Sequence, residues 1–401
     1  MYRHNPAVRW IALPLNFNQS LMAGLYIHIP FCKQACHYCD FHFSTQQGLR
    51  TNLCQTIAEE LKLQRGYLKC QKLKTVYFGG GTPSLLKPEE LQTIFNAVRS
   101  HFEMADNPEI TLEANPDDLT PETLTLLHQE GINRLSIGIQ SFNDDILKFL
   151  NRAHDSRQAV RCVKDARELG FTNISIDLMY AIPGQTLEMW KRNIEQGLAL
   201  SPDHVSAYSL TVEEKTAFGR WQRTGQFRAL GEEIEAEQFE VIMDFLDNAG
   251  YEHYEISNFC KSGFYSRHNS GYWKQEIYLG VGPSAHSFDG ISRQFNVSNN
   301  TLYETSIREG KIPFEREVLG LDHKINEYIF TSLRTSWGCN LEKIKNDFHI
   351  DVRRQNDAYL MTLVEKELAI IENNILKLTR SGKLFADKIA SDLFVDSSMD
   401  S

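Results

Sequence analysis

Three of the chain's eight cysteines stand in one short run, Cys32-Lys33-Gln34-Ala35-Cys36-His37-Tyr38-Cys39, a C-x3-C-x2-C spacing. Thiolates that close in sequence converge on one centre only if the loop wraps around it, and soft sulfur donors select an iron-sulfur cluster, zinc or copper(I). Zinc would need a fourth ligand, for which His37, Asp40 and His42 are candidates. A 4Fe-4S cube on three cysteines instead leaves one iron open to chelate a cofactor or substrate. A second run, Gly79-Gly80-Gly81-Thr82-Pro83-Ser84, removes side chains so that backbone amides and carbonyls can approach a ligand. It has neither the Walker lysine-serine ending nor the G-x-G-x-x-G spacing, so it does not read as a nucleotide-phosphate loop.

The elements that must position these runs alternate. Apolar, β-branched stretches at 25–29, 75–78, 109–112, 134–138, 174–178 and 204–209 read as strands, with helical patterns at 52–65, 88–102, 121–129, 157–169 and 187–200 between them. Pro88 followed by Glu89 and Glu90, and Thr120 followed by Pro121 and Glu122, are helix-start signals. Strand then helix at short connections is the pattern of parallel βαβ units. The cysteine run follows the first strand and the glycine run the second, at the strand ends where α/β folds place their sites. The alternation loses regularity after about residue 211, so six strands favour an incomplete barrel or open α/β sheet over a full eightfold barrel. A long helix at 232–248 ends at Gly250, and a segment rich in Tyr, Gly, Ser, His and Asn (251–288) reads as strands and loops. Helices at 325–333, 341–347 and 359–371 follow, with a hairpin formed by 375–378 and 384–386 around Ser381-Gly382, a winged-helix-like arrangement.

Composition narrows the class. The chain has 401 residues, 42% hydrophobic and 23% charged, close to the globular average, so global disorder and a membrane-inserted chain are both disfavoured. A net charge of −10 argues against wrapping a nucleic-acid backbone. Residues 1–21 carry no continuous apolar stretch of the secretory kind and read as a disordered leader, with Met22 a second candidate start. The expected location is cytoplasmic, with reduced thiols.

Taken together, the C-x3-C-x2-C run after strand one and the glycine run after strand two resemble the radical S-adenosylmethionine (SAM) superfamily. Tyr26-Ile27-His28-Ile29-Pro30-Phe31-Cys32 and the GGGTPS run look like its branch containing oxygen-independent coproporphyrinogen III oxidase. The resemblance implies an α/β fold, a partial (β/α)6 TIM-like barrel with a smaller C-terminal helical, winged-helix-like domain. It implies that Cys32, Cys36 and Cys39 hold a 4Fe-4S cluster, and that Tyr26, Tyr38, Gly80, Gly81, Thr82, Glu113, Gln140, Arg152 and Asp177 border SAM. An ion pair between Arg152 and Asp177 is the purely structural alternative. The domains expected are a leader (1–21), the barrel (22–250), a β/loop extension (251–315), a helical domain of the oxidase type (316–390) and a loose tail (391–401).

Within that branch the oxidases carry a fourth cysteine two residues after the third. Here the position is Phe41, which counts against oxidative decarboxylation. Arg267-His268-Asn269-Ser270-Gly271-Tyr272-Trp273 followed by Gly280-Val281-Gly282-Pro283-Ser284-Ala285-His286-Ser287 resembles the HemW family of heme chaperones. That resemblance implies heme as cargo and client hemoproteins as partners, a transient membrane-associated client and a homodimer among them, and no nucleic acid. A heme slot needs an apolar wall and commonly an axial donor. His268 beside Tyr272 and Trp273 is the first candidate, with His286 and Cys260 behind it. Cys54, Cys70, Cys162 and Cys339 show no metal spacing and read as buried small hydrophobes.

Overall fold

The computed structural model describes residues 22–69 and 72–396; the expected leader, Cys70 and the end of the tail lie outside these. Six strands form the centre: β1 (Met22–Ile29), β2 (Lys72–Gly80), β3 (Met104–Ala114), β4 (Arg134–Gln140), β5 (Ile174–Tyr180) and β6 (His204–Ser209). They pair in chain order and every pair is parallel, as the strand-helix alternation predicts. Their sequences read as near-continuous apolar runs because helices cover them; all seven residues of β4 are buried.

The expected helix starts are seen. Thr120 accepts from the Thr123 amide with Pro121 in the first turn, and Glu90 accepts from the Lys87 amide at 2.8 Å. The same Glu90 carboxylate takes Arg50 Nε at 2.7 Å, clamping helix Arg50–Leu63 to helix Pro88–His101.

Beyond the six, a hairpin of β7 (Glu252–Glu255) and β8 (Asn258–Cys260) extends the sheet at β6. At that edge only β8 pairs with β6, and β7 pairs antiparallel with β8; on the other side β9 (Tyr278–Val281) pairs parallel with β1 and leads through β10 (His286–Phe288) and β11 (Ser292–Asn296) to β12 (Phe314–Val318). The twelve-stranded sheet is thus an open one that ends at β12 and β7. It nonetheless curls. Residues following β1 and residues ending β6 line one cavity, whereas five strand spacings laid flat would separate them by roughly 24 Å. The expected partial six-stranded α/β barrel is therefore the architecture found.

The extension is less strand-like than expected, because helices Arg267–Trp273 and Asn300–Arg308 lie within it. The C-terminal part has a separate hydrophobic core built around Ile325, Ile329, Leu333, Ile344, Leu360 and Leu376. Its hairpin differs from the expected one: β13 (Cys339–Asn340), β14 (Ala369–Glu372) and β15 (Ile375–Leu378) form a three-stranded sheet, and β15 pairs with β14 rather than with 384–386. The turn is Asn373-Asn374, both at positive φ (51° and 62°), the backbone that a two-residue hairpin requires and that asparagine tolerates. Residues 380–383 and 386–392 are helical instead, and beyond that helix Leu393 is buried and Val395 bonds to Asn326, so the expected loose tail is packed through Val395.

Candidate functional site

The loop after β1 is anchored on three sides before any ligand is considered. Lys33 pairs with Asp117 at 2.7 Å and with Asp118. Gln34 Nε2 donates to the Asn151 carbonyl at 2.8 Å, and Asn151 Nδ2 donates to the Ala35 carbonyl at 2.7 Å. The Thr82 amide donates to the Phe31 carbonyl at 2.7 Å. His37 turns away from the thiols, its Nδ1 bonded to the Phe149 carbonyl at 2.9 Å and its ring against Trp221, so it does not complete a tetrahedral zinc site. Among the described residues no three Cys, His, Asp or Glu side chains close on a single-ion site.

Cys32, Cys36 and Cys39 line one cavity of about 650 Å3. Eight of the nine residues expected to border SAM line it too: Tyr38, Gly80, Gly81, Thr82, Glu113, Gln140, Arg152 and Asp177. Tyr38 comes from the cysteine loop after β1, Arg152 from the turn after helix Asp144–Phe149, and the others from β2 to β5 or directly after β2, as parallel strands gather their residues in one mouth. Tyr26 is the exception. It lines a neighbouring cavity, and its hydroxyl is 3.1 Å from His28 Nδ1.

Arg152 carries the densest contacts. Nη1 donates to Cys36 Sγ and to Tyr38 Oη, each at 3.3 Å, while Nη2 donates to the Gly138 carbonyl at 2.7 Å and to Asn115 Oδ1 at 2.5 Å. Its Nε is buried with no partner. The Arg152–Asp177 ion pair considered from the sequence is not among the pairs formed by described residues; Asp177 takes Ser136 Oγ at 3.3 Å instead. Glu113 accepts from Tyr77 Oη at 2.8 Å and from the Gly80 amide at 3.2 Å. Burial raises its carboxyl to about 7, with the neighbouring Asp177 adding to the effect. Burial likewise raises Asp177 to about 6. Carboxylates held so near neutrality at a cavity wall are groups awaiting a donor or a cation.

Gln140 sits at φ +65° after a register shift in β4, a left-handed backbone costly for a non-glycine residue. The kink turns its amide into the cavity, where Oε1 is buried with no partner. Room for that amide is left by Gly138, whose added Cβ would meet Gln140 Nε2 at 3.1 Å and Arg152 Nη2 at 3.2 Å. The glycine run faces the cavity, as expected, and it also has a packing role. A Cβ at Gly81 would lie 2.7 Å from the Phe31 amide, and one at Gly80, itself at φ +105°, 2.5 Å from the His28 ring. These positions are bare so that the cysteine loop can lie on the end of β2.

The three cysteine sulfurs, one under an arginine, with an orphaned Arg152 Nε and an orphaned Gln140 Oε1 on the same wall, fit a sulfur-held cluster with a polar ligand beside it. Asn115 and Gly138 are site residues that the sequence reading passed over. Asn115 directly follows the strand end carrying Glu113, a placement that would have marked it.

A second cavity, of about 510 Å3, shares Phe41 with the first. Phe41 is 73% exposed. His268 does not face this space as a free ligand. The residue is 3% exposed, Nδ1 is 2.8 Å from Thr75 Oγ1, Nε2 is 2.7 Å from Tyr272 Oη, and its ring stacks on Tyr77. With both nitrogens engaged, His268 ties helix Arg267–Trp273 to the barrel, and its expected role as heme ligand is not supported. Cys260 is fully buried in β8. Cys54, Cys162 and Cys339 are buried as expected.

Residues 26–196 match the model of the radical SAM superfamily. Over 372 residues the chain is 36% identical to the heme chaperone HemW of Bacillus subtilis, covering 92% of this chain and 98% of that protein. It is 37% identical to the heme chaperone HemW of Escherichia coli, over 66% of this chain and 69% of that one. Among solved structures, the coproporphyrinogen III oxidase HemN of E. coli superposes with a TM-score of 0.80 over 94% of this chain and 91% of that chain, at 22% identity, a likeness of fold.

Proposed function

The chain belongs to the HemW family of heme chaperones, within the radical SAM superfamily, and from that premise we propose that it binds heme and passes it to client hemoproteins. In this reading Cys32, Cys36 and Cys39 hold a 4Fe-4S cluster, with SAM beside it. The observation that carries the assignment of residues is the meeting of those three thiols with Glu113, Gln140, Arg152 and Asp177 on one cavity wall.

Cys32, Cys36 and Cys39 would hold the cluster, which would supply the site at which SAM binds. The chain's own residues bind and orient. Arg152, whose guanidinium lines the cavity, would meet a carboxylate; Glu113 and Asp177 would accept from ribose hydroxyls or an ammonium; Gln140 would accept from an N–H; Met179 and Leu210 would give apolar contact. Gly80, Gly81 and Thr82 hold the loop against β2, with Thr82 Oγ1 donating to Cys32 Sγ at 3.4 Å. Tyr38 supports Arg152, and Tyr26 serves the neighbouring cavity.

Among the described residues no helix is long and apolar enough to cross a membrane. On the reading of its cysteines as reduced thiols, we place the chain in the cytoplasm, meeting a membrane, where it does, through a transient client. A homodimer is part of the same proposal.

Phe41 stands where the related oxidases carry a further cysteine, which favours a chaperone over coproporphyrinogen decarboxylation. The anaerobic assay with reductant, SAM and coproporphyrinogen III separates the two. Protoporphyrinogen no higher than in a Cys36→Ala control is the expected result; product above that control would replace the chaperone reading by the enzymatic one.

A further inference from the structure

We propose that heme seats in the cavity of about 510 Å3 beside the cysteine cavity, with His286 as the iron ligand and Arg293 as the partner of a propionate. This rests on the heme-chaperone reading above and names its site. The volume lies within the range of small-molecule sites. Its walls carry Tyr26, Phe41, Tyr272, Tyr278 and Phe288, flat apolar faces suited to a flat macrocycle.

Three histidines line this space, and their commitments differ. His28 has Nδ1 near Tyr26 Oη and Nε2 3.0 Å from the His42 carbonyl. His42 has Nε2 2.7 Å from Asn300 Oδ1. His286, exposed on β10, stacks on Phe295 and makes no hydrogen bond to a described residue. Partial desolvation of the ring at the cavity wall, with Arg293 adding to it, also holds its imidazole below the ordinary value, so the neutral, coordinating form prevails at neutral pH. Its backbone is fixed by pairing with Phe295 across to β11, and a donor on a paired strand is held more firmly than one on a loop.

Polar groups for the macrocycle's acidic edge are present. Arg293 Nη1 pairs with Glu327 at 2.9 Å, which leaves further guanidinium donors for a carboxylate. Trp273 Nε1 is buried on the same wall with no partner. The cysteines lie in the other cavity, so no thiolate competes as axial ligand, and Phe41 stands between the two spaces.

The test is titration of the full chain with hemin, following the Soret band, for wild type, His286→Ala, His42→Ala and Arg293→Gln. Wild type should bind one equivalent. His286→Ala should bind at least about tenfold more weakly with a changed axial-ligand spectrum, and added imidazole should restore the spectrum. Arg293→Gln should weaken binding several-fold and leave the spectrum unchanged, and His42→Ala should keep the wild-type spectrum. Wild-type binding with an unaltered spectrum and affinity in His286→Ala would overturn the site while leaving the chaperone reading intact. Failure of wild type to bind hemin would overturn both. Circular dichroism of each variant guards against loss of folding; a misfolded His286→Ala is replaced by His286→Gln, judged by the same spectral criterion.

Discussion

Arg152 Nη1 donates to the sulfur of Cys36 at 3.3 Å while its Nη2 holds the Gly138 carbonyl at 2.7 Å. One side chain thus fixes the cysteine loop relative to the end of β4, with Nε buried and unpartnered. Lysine keeps the charge but not the fork. Arg152→Lys should reconstitute iron close to the wild-type amount yet bind SAM about tenfold or more weakly, since a charge-assisted hydrogen bond is worth roughly 1.5–3 kcal/mol. Anaerobic calorimetry checks this, and unchanged SAM affinity would remove Arg152 from the SAM site.

Glu113 and Asp177 give SAM binding a pH dependence. Their carboxyls sit near 7 and 6 in the free protein because burial disfavours the ionised form. A ligand that donates to them, or brings a positive charge, favours ionisation, so binding releases protons below these values. Affinity should therefore climb with pH, by about tenfold between about pH 6 and pH 8 for Glu113 alone, and level off above. Glu113→Gln should bind more weakly and keep only the slope centred near pH 6. A flat profile in wild type would contradict the assignment.

Gly81 has no room for a side chain: its added Cβ would meet both the amide and the carbonyl of Phe31 at 2.7 Å. Backbone on both sides cannot yield as a flexible side chain would. Gly81→Ala should lose roughly 1–3 kcal/mol of stability and shift the cysteine loop, lowering reconstituted iron per chain. Thermal unfolding and iron analysis read the two effects, and a variant equal to wild type in both would refute the role given to this glycine.

Glu60 is fully buried and joins the first helix to the extension. It accepts from the Gly282 amide at 2.8 Å, from Asn296 Nδ2 at 2.7 Å and from Tyr303 Oη. Glu60→Leu strands all three donors, each costing about 1–3 kcal/mol, and should destabilise the fold severely and abolish the second cavity's hemin spectrum. Glu60→Gln retains an acceptor and should cost much less. Equal Tm values for the two variants would show that the network does not hold the extension.

How far the sequence could carry these conclusions depends on the distance over which each feature is decided. The six central strands and the helix caps at Thr120 and Glu90 were legible because short-range pattern settles them. So was the cysteine run, whose place after the first strand follows from the same alternation. Helix Arg267–Trp273 was not, since a seven-residue segment has no apolar period to read and its first amides are capped by Glu109 on β3, 158 positions away. His268 looked like a ligand for the same reason: its partner Thr75 is 193 positions away. The hairpin was misplaced because Asn373-Asn374 is a turn made by positive φ, a weaker signal than the Ser381-Gly382 that competed with it. The glycine run was found, but that it packs against Phe31 and His28 as well as facing the cavity is something only the packing reveals.

The most direct test of the central claim is heme transfer. The chain, reconstituted anaerobically and loaded with hemin, is freed of excess by gel filtration and mixed with an apo-hemoprotein acceptor whose holo spectrum is distinct. Retention of about one heme per chain through the column, followed by appearance of the acceptor's holo spectrum as the chain's own heme band declines, is the predicted result. Heme lost on the column, or retained without ever reaching the acceptor, would contradict it.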